Sequence, residues 1–146
     1  MNLQTQWIVG FVDGEGCFHV AINKNSEMSC GYQVLPEFTV TQHQKDVKIL
    51  YALKDHFGCG VVRVNHGDRY CYRVRKFSHL KEIIVPFFEN HKLLTLKRVE
   101  FEKFRRVLLM CEQKQHLTVD GIQKIREIQH TMNRKHHTQP ENQQKI

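Results

Sequence analysis

The chain has 146 residues, with 22 Lys and Arg against 15 Asp and Glu, a formal net charge of +7 and a sequence pI near 9.3. That length holds one domain with a real core and is short for an enzyme of two lobes, while the basic excess suits a polyanionic partner. Five cysteines, an odd number with no Cys-x-x-Cys pair, point away from a disulfide framework or a zinc ribbon and read as reduced thiols. No run reaches the ~20 apolar residues of a membrane span, and the first residues lack the pattern of a signal peptide, so a soluble intracellular protein with no membrane partner is expected.

The first element is the run Ile8-Val9-Gly10-Phe11-Val12-Asp13-Gly14-Glu15-Gly16, an apolar helix that stops in two acids separated and followed by glycine. Gly14 and Gly16 are expected to end it through their backbone freedom. Carboxylates at a helix C-terminus meet the negative end of the helix dipole, which is unfavourable unless a cation compensates them. The spelling therefore suggests a metal site. Cys17 to Asn25 then alternates, Phe18, Val20 and Ile22 against His19, Ala21 and Asn23, as a half-buried strand does. After the turn residues Asn25 to Gly31, Val34, Pro36, Phe38 and Val40 alternate with Gln33, Leu35, Glu37, Thr39 and Thr41, which makes a long hairpin.

A helix over Lys45 to Phe57, with Ile49, Leu50, Leu53 and Phe57 at core spacing, closes at Gly58. Val61 to Asn65 and Arg69 to Arg75 flank His66-Gly67-Asp68 as a second hairpin, with Arg63, Asn65, Arg69, Cys71 and Arg73 on one side. Ser78 is placed to cap a helix that runs through an interruption at Pro86, and Leu93 to Lys97 lead into another whose stripe is Phe101, Phe104, Val107 and Leu108. A last helix starts near Thr118 or Asp120, with Ile122, Ile125, Ile128 and Met132 inward. One domain over residues 1–133 is expected, and the polar segment Arg134 to Ile146 is expected to be a disordered tail. The order is a helix-plus-hairpin unit repeated and followed by helices, an α+β pattern compatible with one four-stranded antiparallel sheet backed by helices.

The first motif resembles the signature of the LAGLIDADG homing endonucleases, in the form that ends Phe-Val-Asp-Gly-Glu-Gly. Three further markers follow in order: Phe38-Thr39-Val40-Thr41-Gln42, Phe57-Gly58-Cys59-Gly60, and Pro86-Phe87-Phe88 leading to Leu93-Leu94-Thr95-Leu96-Lys97-Arg98. The resemblance covers residues 7 to 110 and implies an αββαββα fold whose saddle-shaped sheet sits over DNA. It implies an endonuclease that hydrolyses both strands of a long near-palindromic double-stranded site, encoded in a mobile group I intron of a bacterial, archaeal or organellar genome. Alternatives of the same fold are a maturase that binds intron RNA and a DNA-binding regulator that does not cut.

Residue by residue, the resemblance implies that Glu15 and the carbonyl of Gly14 bind a catalytic Mg²⁺. Mn²⁺ would substitute, and Ca²⁺ would support binding without cleavage. Gln42 would order water around the metal, and Lys97, with Thr95 or Arg98 as its alternatives, would face the scissile phosphate. Asp13 would help to fix the helix end. The motif occurs once, so a second carboxylate has to come from a second chain, and a homodimer is expected with Val9, Gly10 and Asp13 at the helix seam. The open sheet face supplies the candidate base-reading residues His19, Asn23, Asn25, Gln33, Glu37, Thr39, Arg63, Asn65, Arg69 and Arg73. A nine-residue strand of ~3.3 Å per residue tracks about nine base pairs.

Overall fold

The computed structural model describes residues 1–134 of the chain. Its strands and α-helices run α1 (Thr5–Glu15), β1 (Gly16–Lys24), β2 (Tyr32–His43), α2 (Val47–Phe57), β3 (Val61–His66), β4 (Arg69–Val74), α3 (Phe77–His79), α4 (Val85–Asn90), α5 (Lys97–Glu112) and α6 (Val119–His130). The polar tail expected over residues 134–146 lies outside the described residues except for Arg134. No described helix is long and apolar enough to cross a membrane.

The four strands form one antiparallel sheet in the order β1-β2-β4-β3. Each hairpin therefore keeps its second strand in the centre, and the two central strands join the repeats. Strand alternation sends Phe18, Val20, Val34, Phe38, Val40, Tyr72 and Val74 to one face, where they are buried, and leaves the polar set on the other. Helices α1, α2, α4 and α5 contribute Ile8, Val12, Leu50, Leu53, Phe88, Phe101 and Phe104 to the same core. Phe18 is at its centre, with ring centroids 5.2 to 5.6 Å from those of Phe38, Phe88, Phe101 and Phe104.

The strand β1 is an outer strand, and its unpaired carbonyls need donors. They find them on α6 and the turn that follows it: Gln129 Nε2 donates to the Val20 carbonyl at 2.9 Å and Asn133 Nδ2 to that of Phe18 at 2.8 Å. The start of α6 is held by Thr118, whose hydroxyl accepts from the Gly121 N–H at 3.0 Å.

Two local expectations are corrected. Ser78 is not the helix cap; the helix begins one residue earlier, after Lys76, and no side chain caps it. Pro86 does not interrupt the helix, because α3 and α4 are joined by a π-helical turn at Leu80–Ile84 and Pro86 falls in the first turn of α4, where a wider upstream turn accommodates a residue without an N–H. Gly58 ends α2 with φ +70°, as read from sequence. Truncating the central ring, Phe18→Ala, is expected to cost about 3–5 kcal/mol in urea unfolding; a loss below about 1 kcal/mol would place the centre of the core elsewhere.

Candidate active site

Helix α1 ends at Glu15 and β1 begins at Gly16 with no linker between them. Neither motif glycine has a positive φ, so backbone freedom is not what the junction uses. Gly16 is required for space: a Cβ there would stand 2.6 Å from Val12 Cγ1 and 2.9 Å from the Val12 carbonyl oxygen. Gly14, by contrast, has open space around it and is exposed. The Glu15 carboxylate is exposed, and among the described residues it has no hydrogen bond or ion pair. Oxygen donors therefore concentrate at this tip, since the last carbonyls of a helix lack intrahelical donors.

Asp13 turns inward to the segment before α5. Its Oδ2 accepts from the Leu94 N–H at 2.8 Å, and its Oδ1 from the Thr95 hydroxyl at 2.8 Å and the Thr95 N–H at 3.1 Å. Partial burial would raise the pKa of this carboxyl, but the donors on Leu94 and Thr95, with the charge of Lys97, outweigh it and hold the group below its ordinary value. Lys97 is the first residue of α5, where the helix dipole disfavours a cation. Its ammonium donates to the backbone carbonyl of Gly16, the residue that follows Glu15 in the chain. An acid at the negative end of one helix and a lysine at the positive end of another thus meet at one junction.

The pairing of Gly16 with Val40 puts Gln42 two residues beyond the start of β1, level with the last turn of α1. Gln42 is half-buried and pairs with Tyr70 in the sheet. Among the described residues no cluster of three or more His, Cys, Asp or Glu could hold a metal ion. One carboxylate plus helix-end carbonyls are oxygen ligands of the hard kind that Mg²⁺ and Ca²⁺ take.

The open face of the sheet is arranged in rows across the strands. Asn23 faces Gln33; His19 faces Glu37; Cys17, Thr39, Arg73 and Val61 form the next row; Thr41, Cys71 and Arg63 the next; His43, Arg69 and His66 the last. A depression of about 430 Å³ opens here, lined by Cys17, Glu37, Thr39, Arg63, Arg73 and Arg75 among others. A groove of about 780 Å³ between α5 and α6 is lined by none of the candidate site residues.

The LAGLIDADG endonuclease family model matches residues 8–108. The chain belongs to the LAGLIDADG endonuclease family. It is similar to the crystal structure of a homing endonuclease, I-TnaI, with 54% identity, TM-score 0.89, and coverage of 97% of this chain and 96% of that one. A structure of I-SmaMI bound to an uncleaved DNA target in the presence of calcium ions matches with 32% identity and TM-score 0.87, over 90% of this chain and 45% of that one. A probable intron-encoded endonuclease of Neurospora crassa is 31% identical over 85% of this chain and 24% of its own length. The chain thus spans about a quarter to a third of the first curated relatives it matches.

Within this LAGLIDADG fold, Glu15, Gly14, Gln42 and Lys97 all fall at the α1–β1 junction or level with it. His19, Asn23, Gln33, Glu37, Thr39, Arg63, Asn65, Arg69 and Arg73 share the open face. Asn25 is in the hairpin turn, where its side chain accepts from the Glu27 N–H and donates to Gln33. Of the expected seam residues, Val9 is buried inside the protomer, Asp13 is half-buried and engaged with Leu94 and Thr95, and Gly10 is exposed on the outward side of α1. That side carries Trp7, Gly10, Phe11 and Gly14, with the Trp7 and Phe11 rings stacked at 4.7 Å. Their i, i+3, i+4, i+7 spacing was a readable signal for a second apolar stripe. Thr41, His43 and Arg75 also belong with the open face; strand parity would have found the first, whereas His43 and Arg75 lie at strand ends.

The depressed Asp13 carboxyl binds its proton more weakly folded than unfolded, so its contribution to stability is complete above pH ~4 and falls away in acid. Asp13→Ala should cost about 1–2 kcal/mol at pH 7 and clearly less at pH 3, measured by urea unfolding at both. An equal loss at the two pH values would show that the charge on Asp13 is not what the clamp uses.

Proposed function

We propose that two copies of this chain form a homodimeric site-specific endonuclease that cuts both strands of a long, near-palindromic DNA duplex with Mg²⁺. The observation that carries this reading is the junction itself: an unpaired Glu15 carboxylate and the Lys97 ammonium held at a single helix-to-strand boundary, at the end of a sheet whose open face bears Arg63, Arg69 and Arg73. The DNA-bound relative I-SmaMI supports the substrate class, and the intron-encoded Neurospora crassa relative supports a gene carried within an intron.

The second copy is supported by the outward stripe of α1, where Gly10 admits close approach of another helix and Trp7 is 43% exposed. Leu94, Leu96 and Val99 are exposed apolar residues on the segment that α1 clamps and on the first turns that follow, and they extend a surface that favours burial. A two-fold axis along α1 would bring the two Glu15 carboxylates together and complete the oxygen site that one protomer half supplies. The similarity to I-TnaI extends over nearly the whole of both chains, whereas I-SmaMI is about twice the matched length.

Bound between Glu15, the Gly14 carbonyl and their symmetry mates, a divalent cation would offset charge on the scissile phosphate and acidify a water. The chain's own groups do the rest. Glu15 supplies the anionic ligand, Gln42 orients water through its amide, and Lys97 stabilises negative charge on the phosphate oxygens. Arginines of the open face fix the duplex through phosphates and base edges, and the phosphate contacts make affinity fall steeply with salt.

Glu15→Gln should lower cleavage by at least about 100-fold while leaving Ca²⁺-supported DNA binding nearly intact, measured by single-turnover cleavage and by gel shift; unchanged cutting would overturn the ligand assignment. Gly10→Leu tests the dimer separately. The protomer has open space at Gly10, and Leu favours helix over Gly, so the variant should fold yet sediment as a monomer and fail to cut both strands. A variant that stays dimeric and fully active would remove α1 from the seam.

A further inference from the structure

Taking the open sheet face as a DNA interface, we infer that Arg75 reads a guanine in the major groove and that Glu37 is the residue that positions it. Arg75 follows the last residue of β4, and because Phe38 pairs with Val74, Glu37 and Arg75 face one another in the next register position. Arg75 Nε donates to Glu37 Oε2 at 2.7 Å. Among the described residues no acceptor engages the two terminal guanidinium nitrogens. The Arg75 side chain is 57% exposed and that of Glu37 21%. The carboxylate therefore lies lower in the face, and the guanidinium stands over it with its outer edge open.

The charge pattern makes the pair unusual for a face that meets phosphates. Glu37 is the only acid that the four strands contribute. An exposed ion pair adds little to folding stability, and a lone carboxylate opposes a polyanion. Its effect on Arg75 is different. A free arginine side chain samples many rotamers, while one tied at Nε presents Nη1 and Nη2 as a fixed fork whose spacing fits the O6 and N7 acceptors of guanine. Lysine cannot reproduce that fork. The pair stands three residues along β2 from the Val40–Gly16 level, so the guanine should lie about three base-pair steps outward from the junction in each half of the site.

The test is the base-preference profile of the full chain, obtained by selecting cut molecules from a randomised double-stranded DNA library in Mg²⁺. The wild type should prefer guanine about tenfold to a hundredfold at one position of each half. Arg75→Lys should flatten that position and its symmetry mate while leaving the other positions and the salt dependence of binding as they were. Glu37→Gln should weaken the same preference in part. An unchanged profile in Arg75→Lys overturns the assignment, and so does a uniform loss across all positions, which marks a phosphate contact. Replacement of the guanine preference by a change in cytosine preference in Glu37→Gln alone would make Glu37 the reader and overturn it as well. Failure of the wild type to enrich any site would overturn the nuclease reading, and the guanine assignment with it.

Discussion

The site depends on the clamp that Asp13 makes on Leu94 and Thr95. Three hydrogen bonds accepted by one carboxylate tie the last turn of α1 to the segment that starts α5. The same segment then sends the Lys97 ammonium to the Gly16 carbonyl. Burial of Phe18 against Phe101 and Phe104 brings β1 and α5 together, and the clamp fixes where the end of α1 meets the start of α5. With it, a carboxylate and an ammonium are both held where the dipoles of their own helices disfavour them. The Lys97 ammonium lies at the C-terminal end of α1, which lessens its share of that cost, and the result is a polar junction.

The architecture behind the junction is a division of faces. The sheet buries Phe18, Phe38 and Tyr72 on one side and leaves rows of His, Thr, Asn and Arg on the other. Helix α1 is divided as well: Ile8, Val9 and Val12 fill the core, Trp7, Gly10 and Gly14 are exposed, and Phe11 is half-buried between the two. One short helix thus joins the fold of the protomer to the proposed assembly, and its tip carries the chemistry. Helix α6 and the turn after it protect this arrangement at the margin, because Gln129 and Asn133 occupy carbonyls of β1 that another strand would otherwise seek.

Much of this was legible in the chain because it depends on period and local chemistry. Alternation along Phe18 to Ile22 and Val34 to Val40 marked both the strands and their faces, and the αL glycine at Gly58 marked the end of α2. The π-helical turn before Pro86 was not legible, since it arises from how neighbouring turns relax around a missing N–H. The role of Gly16 was misread for a similar reason. Its lack of a side chain answers the approach of Val12, a contact between a helix and the strand that leaves it, and not a demand for positive φ.

By itself, the sequence determined the element order and the buried faces of β1, β2 and β4, because these follow from residue type and spacing, and its motifs marked the family by resemblance. Tertiary structure alone decided which side of α1 faces outward, that Val9 is internal, that Asp13 acts as a clamp, and that Arg75 meets Glu37. Those facts depend on distances between segments far apart in the chain, which no local pattern encodes.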